Sequence, residues 1–351
     1  MTTTKSSGFI ETEFFSKVEQ FISTPISIPI FVYGPTGLGK TTAIIEAARK
    51  HNRKAIKFNV SVSTTVDDMV GGIRLENGNT EFKYGPLINA MLNGDIIVLD
   101  ELDAGDSVVL MELQPILEGK SYTIKKTGEV IEPKDGFMII ATGNTKGTGD
   151  QTGGEYVGTN VLNKAFRDRF AAWIEYNVPT TEEIISILKS HADQFEFDQP
   201  KIIKHLAKWF TDIYSSYEGG GISQYLSVRK IILTAKMMKI FGATKLNDEP
   251  AFKAVNYAVS TFDDPDIQES IVKLWEIMIE DDDANVETVE DPFSTTDKPD
   301  AFSEAFKNAS WNNPTGTPVT ASQPPSSSKS KSMSAILDEA GNVIPYTLND
   351  L

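Results

Sequence analysis

Short apolar runs alternate with helix-like segments through the first half of the chain. Four of these runs have the length and apolar content of buried strands, and they cover residues 28–33, 54–60, 95–101 and 136–144. Strands that are apolar on both faces are typical of parallel sheets covered by helices. The pattern therefore predicts an α/β core in which a parallel sheet is sandwiched by helices.

Two other segments in this half have the turn residues of β-hairpins. One covers residues 73–84 and turns at Asn77-Gly78, and the other covers residues 122–132 and turns at Thr127-Gly128. Asn-Gly is a strong signal for a two-residue hairpin loop. We therefore expect two β-hairpin insertions in the core. Helices are expected before the first strand, over residues 10–25, and after the third strand, over residues 107–117.

From Thr180 onward the apolar residues recur at helical spacing only. Such stripes are more typical of core packing than of cofactor contacts. The simplest architecture is an α/β core with a leading helix over residues 1–179, followed by a C-terminal helical lid over residues 180–280.

The composition changes again after residue 280. Residues 281–351 carry twelve acidic and four basic side chains, and residues 323–331 are rich in proline, serine and lysine. A segment of this composition cannot bury enough apolar surface to offset its chain entropy. We predict a disordered tail over 281–351, in which the more apolar residues 333–348 are either a docking peptide for a partner or an inert end.

The whole chain has 351 residues, is 40% hydrophobic and has a formal net charge of −16. Its lack of cysteine excludes disulfides, thiolate zinc sites and cysteine nucleophiles. We find no dense Lys/Arg stripe, so nucleic-acid binding is not favoured. Apolar runs are too short to span a bilayer, and residues 1–8 lack the apolar stretch of a secretion signal. We therefore expect a cytoplasmic protein without a membrane role.

The most specific motif follows the first apolar run. Residues 34–41 are Gly-Pro-Thr-Gly-Leu-Gly-Lys-Thr, and a helix-like run covers residues 42–49. In a phosphate-binding loop, glycines turn the backbone so that N–H groups point at the phosphates, the lysine reaches the terminal phosphates and the threonine ligates Mg²⁺. A glycine-rich turn that happens to carry a lysine is the alternative. The flanking strand and helix favour binding of ATP and Mg²⁺ through Gly34, Pro35, Thr36, Gly37, Leu38, Gly39, Lys40, Thr41 and Thr42.

Asp100 and Glu101 end the strand at residues 95–101, at the edge where parallel sheets bind ligands. We expect Asp100 to bind Mg²⁺ through water and Glu101 to polarise the attacking water. Asn144 ends the next buried strand, where its amide would position that water against the terminal phosphate. A strand-capping role is the alternative for Asn144.

Two segments that carry arginines, residues 162–170 and the start of the helix at Arg229, complete the candidate site. Arg167 and Arg169 lie in a short helix or turn after the core strands, where an arginine can stabilise transition-state charge on a neighbouring subunit's nucleotide. A surface salt bridge with Asp168 is the competing interpretation. Arg229 opens a lid helix after Ser227, a candidate N-cap, and would fold the lid onto the phosphates.

The order of these motifs resembles that of the AAA+ ATPases, and the two hairpins narrow the resemblance to the branch of MoxR-type ATPases, chelatase motor subunits and dynein-like rings. It is most specific for the CobS-like small AAA+ subunit group of aerobic cobaltochelatase, on residues 67–72, 80–86, 100–105 and 147–153. The resemblance covers residues 10–280 and leaves the tail outside.

The resemblance implies an AAA+ P-loop NTPase fold and a hexameric ring. The hairpins would face the pore or a partner, and the companion would be a von Willebrand-type, CobT-like protein with a metal-ion-dependent adhesion site. Similar small proteins occur in tailed phages, for which the compartment would be the host cytoplasm. The implied roles are phosphate and Mg²⁺ binding for Lys40 and Thr41, hydrolysis for Asp100 and Glu101, sensor 1 for Asn144, the trans finger for Arg169 and sensor 2 for Arg229.

Arg169 is preferred to Arg167 because the family arginine lies in an Asp-Arg-aromatic triplet. The first functional hypothesis is an ATP-hydrolysing ring that remodels or activates a partner protein, CobS-like or MoxR-like. The second is a nucleic-acid motor or loader. A catalytically silent scaffold is disfavoured because every polar position of the site carries a competent residue.

Overall fold

A computed structural model of the chain describes residues 9–76, 78–150, 156, 158–286, 335–337 and 343–345. The chain divides into two compact units, residues 1–308 and residues 309–351. The first unit contains the main sheet and the helices, and the second contains a pair of short antiparallel strands.

Helices and strands alternate through the first part of the first unit, in the order α1 (Glu13–Ile22), β1 (Ile30–Tyr33), α2 (Lys40–Lys50), β2 (Ala55–Asn59), α3 (Val66–Val70), β3 (Gly71–Glu76), β4 (Asn79–Tyr84), α4 (Pro86–Asn93) and β5 (Ile96–Asp100). After a 3₁₀ turn at Leu102–Ala104 come α5 (Ser107–Met111), α6 (Gln114–Leu117), β6 (Tyr122–Thr123), β7 (Val130–Ile131), β8 (Met138–Gly143), α7 (Lys164–Arg167) and β9 (Ala172–Glu175). Helices alone complete the unit, as α8 (Thr181–Gln194), α9 (Pro200–Glu218), α10 (Val228–Phe241), α11 (Glu249–Val259) and α12 (Pro265–Val286). The second unit contains β10 (Ala335–Leu337) and β11 (Val343–Pro345).

The main sheet has five strands in the order β2-β5-β8-β1-β9, and every neighbouring pair is parallel. The carboxyl ends of all five strands therefore lie at one edge of the sheet. Strand β8 lies between β1 and β5, so the residue that follows β8 is placed between the ends of those two strands. This edge carries the predicted phosphate loop and the predicted acidic pair.

Both faces of the sheet are covered. In β5, Ile96 and Val98 belong to a core cluster with α1, α2 and the C-terminal helices, whereas Ile97 and Leu99 belong to a second cluster with α3 to α7. Successive side chains of a strand point to opposite faces, so two helical layers need an apolar residue at every position. The predicted helix-covered parallel sheet is confirmed.

The predicted helix over residues 107–117 is instead two short helices, α5 and α6, separated at Glu112 and Leu113. Pro115 lies at the start of α6 and has no backbone N–H to donate to the preceding turn. The helical periodicity of this segment was therefore sufficient to predict helix, and the proline decides where the helix breaks.

The two predicted hairpins are present and contact each other. In the β3–β4 hairpin Glu76 pairs with Asn79, and Asn77 of the predicted turn lies outside the described residues. Strands β6 and β7 form the second hairpin. The hydroxyl of Tyr84 donates to the carboxylate of Glu129 at 2.7 Å, which joins the two hairpins.

The C-terminal helices of the first unit begin at α8, whose N-terminus is fixed by a capping box between Thr180 and Glu183. Helix α12 continues to Val286, past the start of the predicted tail. The rest of that tail, apart from the paired strands β10 and β11, lies outside the described residues. Among the helices that the structure describes, none is long and apolar enough to cross a membrane.

Trp209 packs α9 against α12, and truncation of its side chain should strongly destabilise the first unit. The side chain is fully buried, its indole N–H donates to the carbonyl of Ile271 at 3.1 Å, and its ring meets Trp275 edge to face. Trp209→Ala should lower the free energy of unfolding by about 3–5 kcal/mol in urea titrations, because a buried indole leaves a large cavity. Trp209→Phe should cost less, and Ile240→Ala, at an exposed position of α10, should change it by less than about 0.5 kcal/mol. Equal effects of Trp209→Ala and Ile240→Ala would contradict this role.

Candidate functional site

The loop between β1 and α2 is shaped by glycines that no other residue can replace. Gly34 has φ 144°, and a Cβ there would lie 2.6 Å from the carbonyl oxygen of Tyr176. Gly37 has φ 73°, and a Cβ there would lie 2.7 Å from the Cβ of Ser227. Left-handed backbone and close approach both require glycine. The loop is therefore held tightly between β9 and the start of α10.

Lys40 lies inside this loop and is 8% exposed. Its Nζ donates to the carbonyl oxygens of Gly34 at 2.8 Å and Pro35 at 2.9 Å, and to Oδ1 of Asn144 at 3.3 Å. Burial lowers the pKa of Lys40 to about 8, against the opposing charges of nearby carboxylates, of which Asp103 contributes most. The ammonium is therefore mostly charged at neutral pH and is surrounded by uncharged oxygen acceptors.

The carboxylate of Asp100 receives donors from three elements. Its Oδ1 accepts from the hydroxyls of Thr41 at 2.6 Å and Thr142 at 2.5 Å, and its Oδ2 lies 2.7 Å from Nζ of Lys57 on β2. Burial raises the pKa of Asp100, but the hydrogen bonds from Lys57, Thr142 and Thr41 outweigh it and hold the pKa below its usual range. Asp100 is therefore an anion at neutral pH.

Glu101 follows Asp100 with a different exposure and an uncommon backbone. Its φ of 58° is left-handed, which is a sparsely populated conformation for a residue other than glycine. Its N–H donates to Oγ1 of Thr142 at 3.2 Å, and its carbonyl accepts from the N–H of Ala104. This turn exposes the side chain of Glu101 while Asp100 stays buried.

Asn144 follows β8 and lies between the loop and the acidic strand, as the sheet order requires. Its backbone N–H donates to Oδ2 of Asp103 at 2.9 Å, and its side-chain oxygen accepts from Lys40. The residue thus connects the turn after β5, through its backbone N–H, with the start of α2, through its side-chain oxygen.

Asp103 was not among the residues that we selected from the sequence. It is fully buried, and its Oδ2 accepts from the N–H groups of Asn144 and Thr145 and from the hydroxyl of Thr145, all within 2.9 Å. Its Oδ1 is buried without a hydrogen-bond partner among the described residues. The sequence offered one sign of this residue, an acid three positions after Asp100. Because Asp103 binds Asn144 and Thr145, it fixes the path of the chain after β8.

Helix α10 contacts the loop through its N-terminus. The hydroxyl of Ser227 accepts from the N–H of Lys230 at 3.2 Å, which confirms the predicted N-cap. The backbone N–H of Arg229 donates to the carbonyl of Gly37 at 3.0 Å, and the positive charge of Arg229 is close enough to lower the pKa of Lys40. Arg229 also lines a cavity of 320 Å³ beside the loop, together with Ile10, Leu38, Thr42, His191 and Ile232.

Arg167 and Arg169 lie outside this group. The guanidinium of Arg169 donates to Oε1 of Glu118 at 2.7 Å and to the carbonyl of Ala165. The guanidinium of Arg167 lies over the ring of Trp173, 5.3 Å from its centroid. The structure thus brings together Lys40, Thr41, Asp100, Asn144 and the N-terminus of α10. In the part of the chain that the structure describes, Arg169 makes no hydrogen bond or ion pair with any of them.

The donor set fits a nucleoside triphosphate with Mg²⁺. The loop provides a narrow backbone cradle with a buried ammonium, which suits phosphate. Thr41 donates its proton to Asp100, so the lone pairs of its oxygen are available to a cation. The described residues include no cluster of three or more His, Asp or Glu side chains that would hold a metal alone. Proteins commonly bind Mg²⁺ in this manner, through few protein ligands together with phosphate oxygens and water.

Comparison with known proteins agrees with this geometry. Residues 29–170 match the AAA domain of the dynein-related subfamily. The aerobic cobaltochelatase subunit CobS of Sinorhizobium sp is 30% identical over 219 residues, which are 61% of this chain and 66% of that protein. Midasin of Giardia intestinalis is 31% identical over 164 residues, which are 46% of this chain and 3% of midasin. The chain therefore spans just under two thirds of CobS and a small part of midasin.

Solved structures of similar topology include a variant of RuvB from Thermotoga maritima, with 18% identity, a TM-score of 0.45, and coverage of 69% of this chain and 66% of RuvB. The family match covers β1 to the turn after α7, which is the segment that contains the loop, the acidic pair and Asn144. Residues 29–170, about two fifths of the chain, are similar to an AAA domain of the dynein-related subfamily, and this match supports an ATPase.

Proposed function

We propose that this chain hydrolyses ATP with Mg²⁺ as a subunit of a hexameric ring, and that the ring remodels or activates a partner protein. The observation that carries the proposal is the meeting of Lys40, Thr41, Asp100 and Asn144 at one edge of the sheet. In this group one ammonium and one carboxylate are each fully hydrogen-bonded, and Glu101 projects beside them with its side chain exposed. Such fixed charges are what phosphoryl transfer requires, because its catalysis is mainly positioning and charge stabilisation.

Each residue then has a distinct proposed task. The loop N–H groups and Lys40 would bind the phosphates, and Thr41 would ligate Mg²⁺. Asp100, which accepts the hydrogen bond of the Thr41 hydroxyl, would hold water bound to the metal. When bound, Mg²⁺ neutralises charge on the terminal phosphates. Glu101 accepts a proton from the attacking water, and Asn144 orients that water.

The cavity beside Arg229 is the proposed place of the nucleobase. Its volume of 320 Å³ and its mostly apolar lining are typical of small-ligand sites. Burial, reinforced by the charge of Lys236, lowers the pKa of His191, so the imidazole in this lining is neutral at neutral pH. Arg229 would connect the phosphates with the helical lid.

A CobT-like, von Willebrand-type protein is the partner that we propose, on the basis of the similarity to CobS. The net charge of −16 supports a protein partner over a nucleic acid, because a protein that binds phosphate backbones concentrates positive charge. Arg169 is the proposed trans finger: it lies outside its own site, and its ion pair with Glu118 holds it at a defined position.

Glu101→Gln should retain ATP binding and lose turnover. The amide has the shape of the carboxylate but cannot accept a proton, and general-base catalysis contributes about 10²–10⁴-fold. We would measure phosphate release and binding of a fluorescent nucleotide by the same preparation. Glu112→Gln, which removes a carboxylate paired with Lys125 at 2.6 Å, is the matched control and should keep turnover. Undiminished hydrolysis by Glu101→Gln would show that the assignment of this base is wrong.

Arg169→Ala should be inactive alone and regain turnover when mixed with Glu101→Gln subunits. In a mixed ring, the Arg169→Ala subunit supplies Glu101 and its Glu101→Gln neighbour supplies Arg169, so some sites contain both groups. The measurement is ATP turnover across a series of mixing ratios. Arg167→Ala is the control and should be active without mixing. An absence of complementation at every ratio would indicate a role for Arg169 within its own subunit.

The partner class is tested with Glu101→Gln protein held in ATP and used to capture interacting molecules from the native cell. We expect a von Willebrand-type protein to be retained by this variant and to be absent from captures with Lys40→Ala, which should not bind nucleotide. Turnover should also be unaffected by single-stranded or duplex DNA. Replication proteins or DNA in the nucleotide-dependent fraction would contradict a protein-remodelling role.

A further inference from the structure

Lys57 is a charged residue at the centre of β2, with apolar neighbours on both sides along the strand. It lies between Ile56 and Phe58 on β2 and pairs in register with Val98, two residues before Asp100. Its side chain extends toward the carboxyl edge of the sheet, where Nζ lies 2.7 Å from Oδ2 of Asp100. The lysine therefore adds a positive charge next to the carboxylate that, in the proposed function, serves Mg²⁺.

The two oxygens of Asp100 have different partners. Oδ1 accepts from two neutral hydroxyls, those of Thr41 and Thr142, whereas Oδ2 has the ammonium of Lys57. The hydroxyl bonds leave the negative charge of the carboxylate in place, but the ammonium neutralises it. A cation that binds at Thr41 thus meets a carboxylate whose charge is already compensated.

The exposures of the two side chains determine the effect. The side chain of Asp100 is 11% exposed and that of Lys57 is 47% exposed. Pairs that involve an exposed lysine contribute little to stability, because water screens them and side-chain entropy opposes them. A charge a few ångströms from a partly buried cation site still acts on that cation, because the intervening protein screens it less than water does.

We propose that Lys57 is a positioning residue for the metal. Lys57 holds Oδ2 of Asp100, and it weakens Mg²⁺ binding because the ammonium and Mg²⁺ compete for the charge of that carboxylate. The inference rests on the proposed function, because it assumes that Asp100 and Thr41 serve Mg²⁺ with a bound nucleotide. Its consequence is a site whose Mg²⁺ affinity is set by an exposed lysine of a neighbouring strand.

The test is a Mg²⁺ titration of the binding of N-methylanthraniloyl-ADP to the full chain, followed by fluorescence. Lys57→Met keeps an unbranched side chain only one atom shorter and removes its charge, so the Mg²⁺ concentration for half-maximal binding should fall by about threefold to tenfold. Lys57→Gln should shift it in the same direction, and Lys57→Arg, which keeps the charge, should restore the original value. Melting temperatures of the three variants should stay within a few degrees of the unaltered protein.

Lys54→Met is the matched control. Lys54 and Asp95 form a similar ion pair at 2.9 Å, at the other end of the same two strands, so this variant removes one ammonium from the same pair of strands. Its Mg²⁺ requirement should stay within twofold of the original. An unchanged or higher Mg²⁺ requirement in Lys57→Met and Lys57→Gln would overturn the inference, as would an equal shift in Lys54→Met.

Failure of the proposed function gives a different result. If the unaltered protein and Lys40→Ala bind the fluorescent nucleotide equally in saturating Mg²⁺, the loop is not the binding site, and the inference falls with the proposed function. If only the unaltered protein binds and Lys57 has no effect, the function stands and the role of Lys57 is wrong.

Discussion

The buried carboxylate of Asp100 is the interaction on which the site depends. A charge removed from water must be compensated by partners, and here the partners come from three separate elements: Thr41 on α2, Thr142 on β8 and Lys57 on β2. If α2 or β8 moved away, the anion would lose one of its two hydroxyl donors, whereas the half-exposed Lys57 acts mainly on its charge. The position of the phosphate loop relative to the sheet is therefore fixed by the same group that the proposed mechanism uses for the metal.

A second carboxylate organises the other side of the site. The left-handed turn at Glu101 leads the chain into the 3₁₀ turn, and this places Asp103 under the end of β8. There it accepts three hydrogen bonds from Asn144 and Thr145, and it is the anion with the greatest effect on the pKa of Lys40. Two acids three residues apart thus fix different parts of the site: Asp100 binds Thr41 on α2, and Asp103 binds Asn144.

The sequence was sufficient for the features that depend on local pattern. The loop, the acidic pair and Asn144 could be selected as candidates because glycines, a lysine and strand-end polar residues have fixed places along the chain. The roles of Lys57 and Thr142 could not be predicted, since each depends on which strands are neighbours and in what register. Asp103 was missed because its importance lies in a turn that only the left-handed conformation at Glu101 produces. The break between α5 and α6 is a different case. Pro115 was a local signal for the break, but the helical periodicity of residues 107–117 led to the prediction of one helix.

The link between the loop and the helical part of the unit is a backbone bond, from the N–H of Arg229 to the carbonyl of Gly37. Gly37 is also the residue whose missing side chain makes room for Ser227, so the N-terminus of α10 and the loop lie in close contact. A change in the loop conformation must therefore either move α10 or break this bond, whichever residue stands at position 229. Arg169 is held by Glu118 rather than by its own loop. In the proposed ring Arg169 would therefore act on a neighbouring subunit, whereas Arg229 would act on the loop of its own subunit. A ring in which turnover needs both would couple hydrolysis to lid position within a subunit and to assembly between subunits.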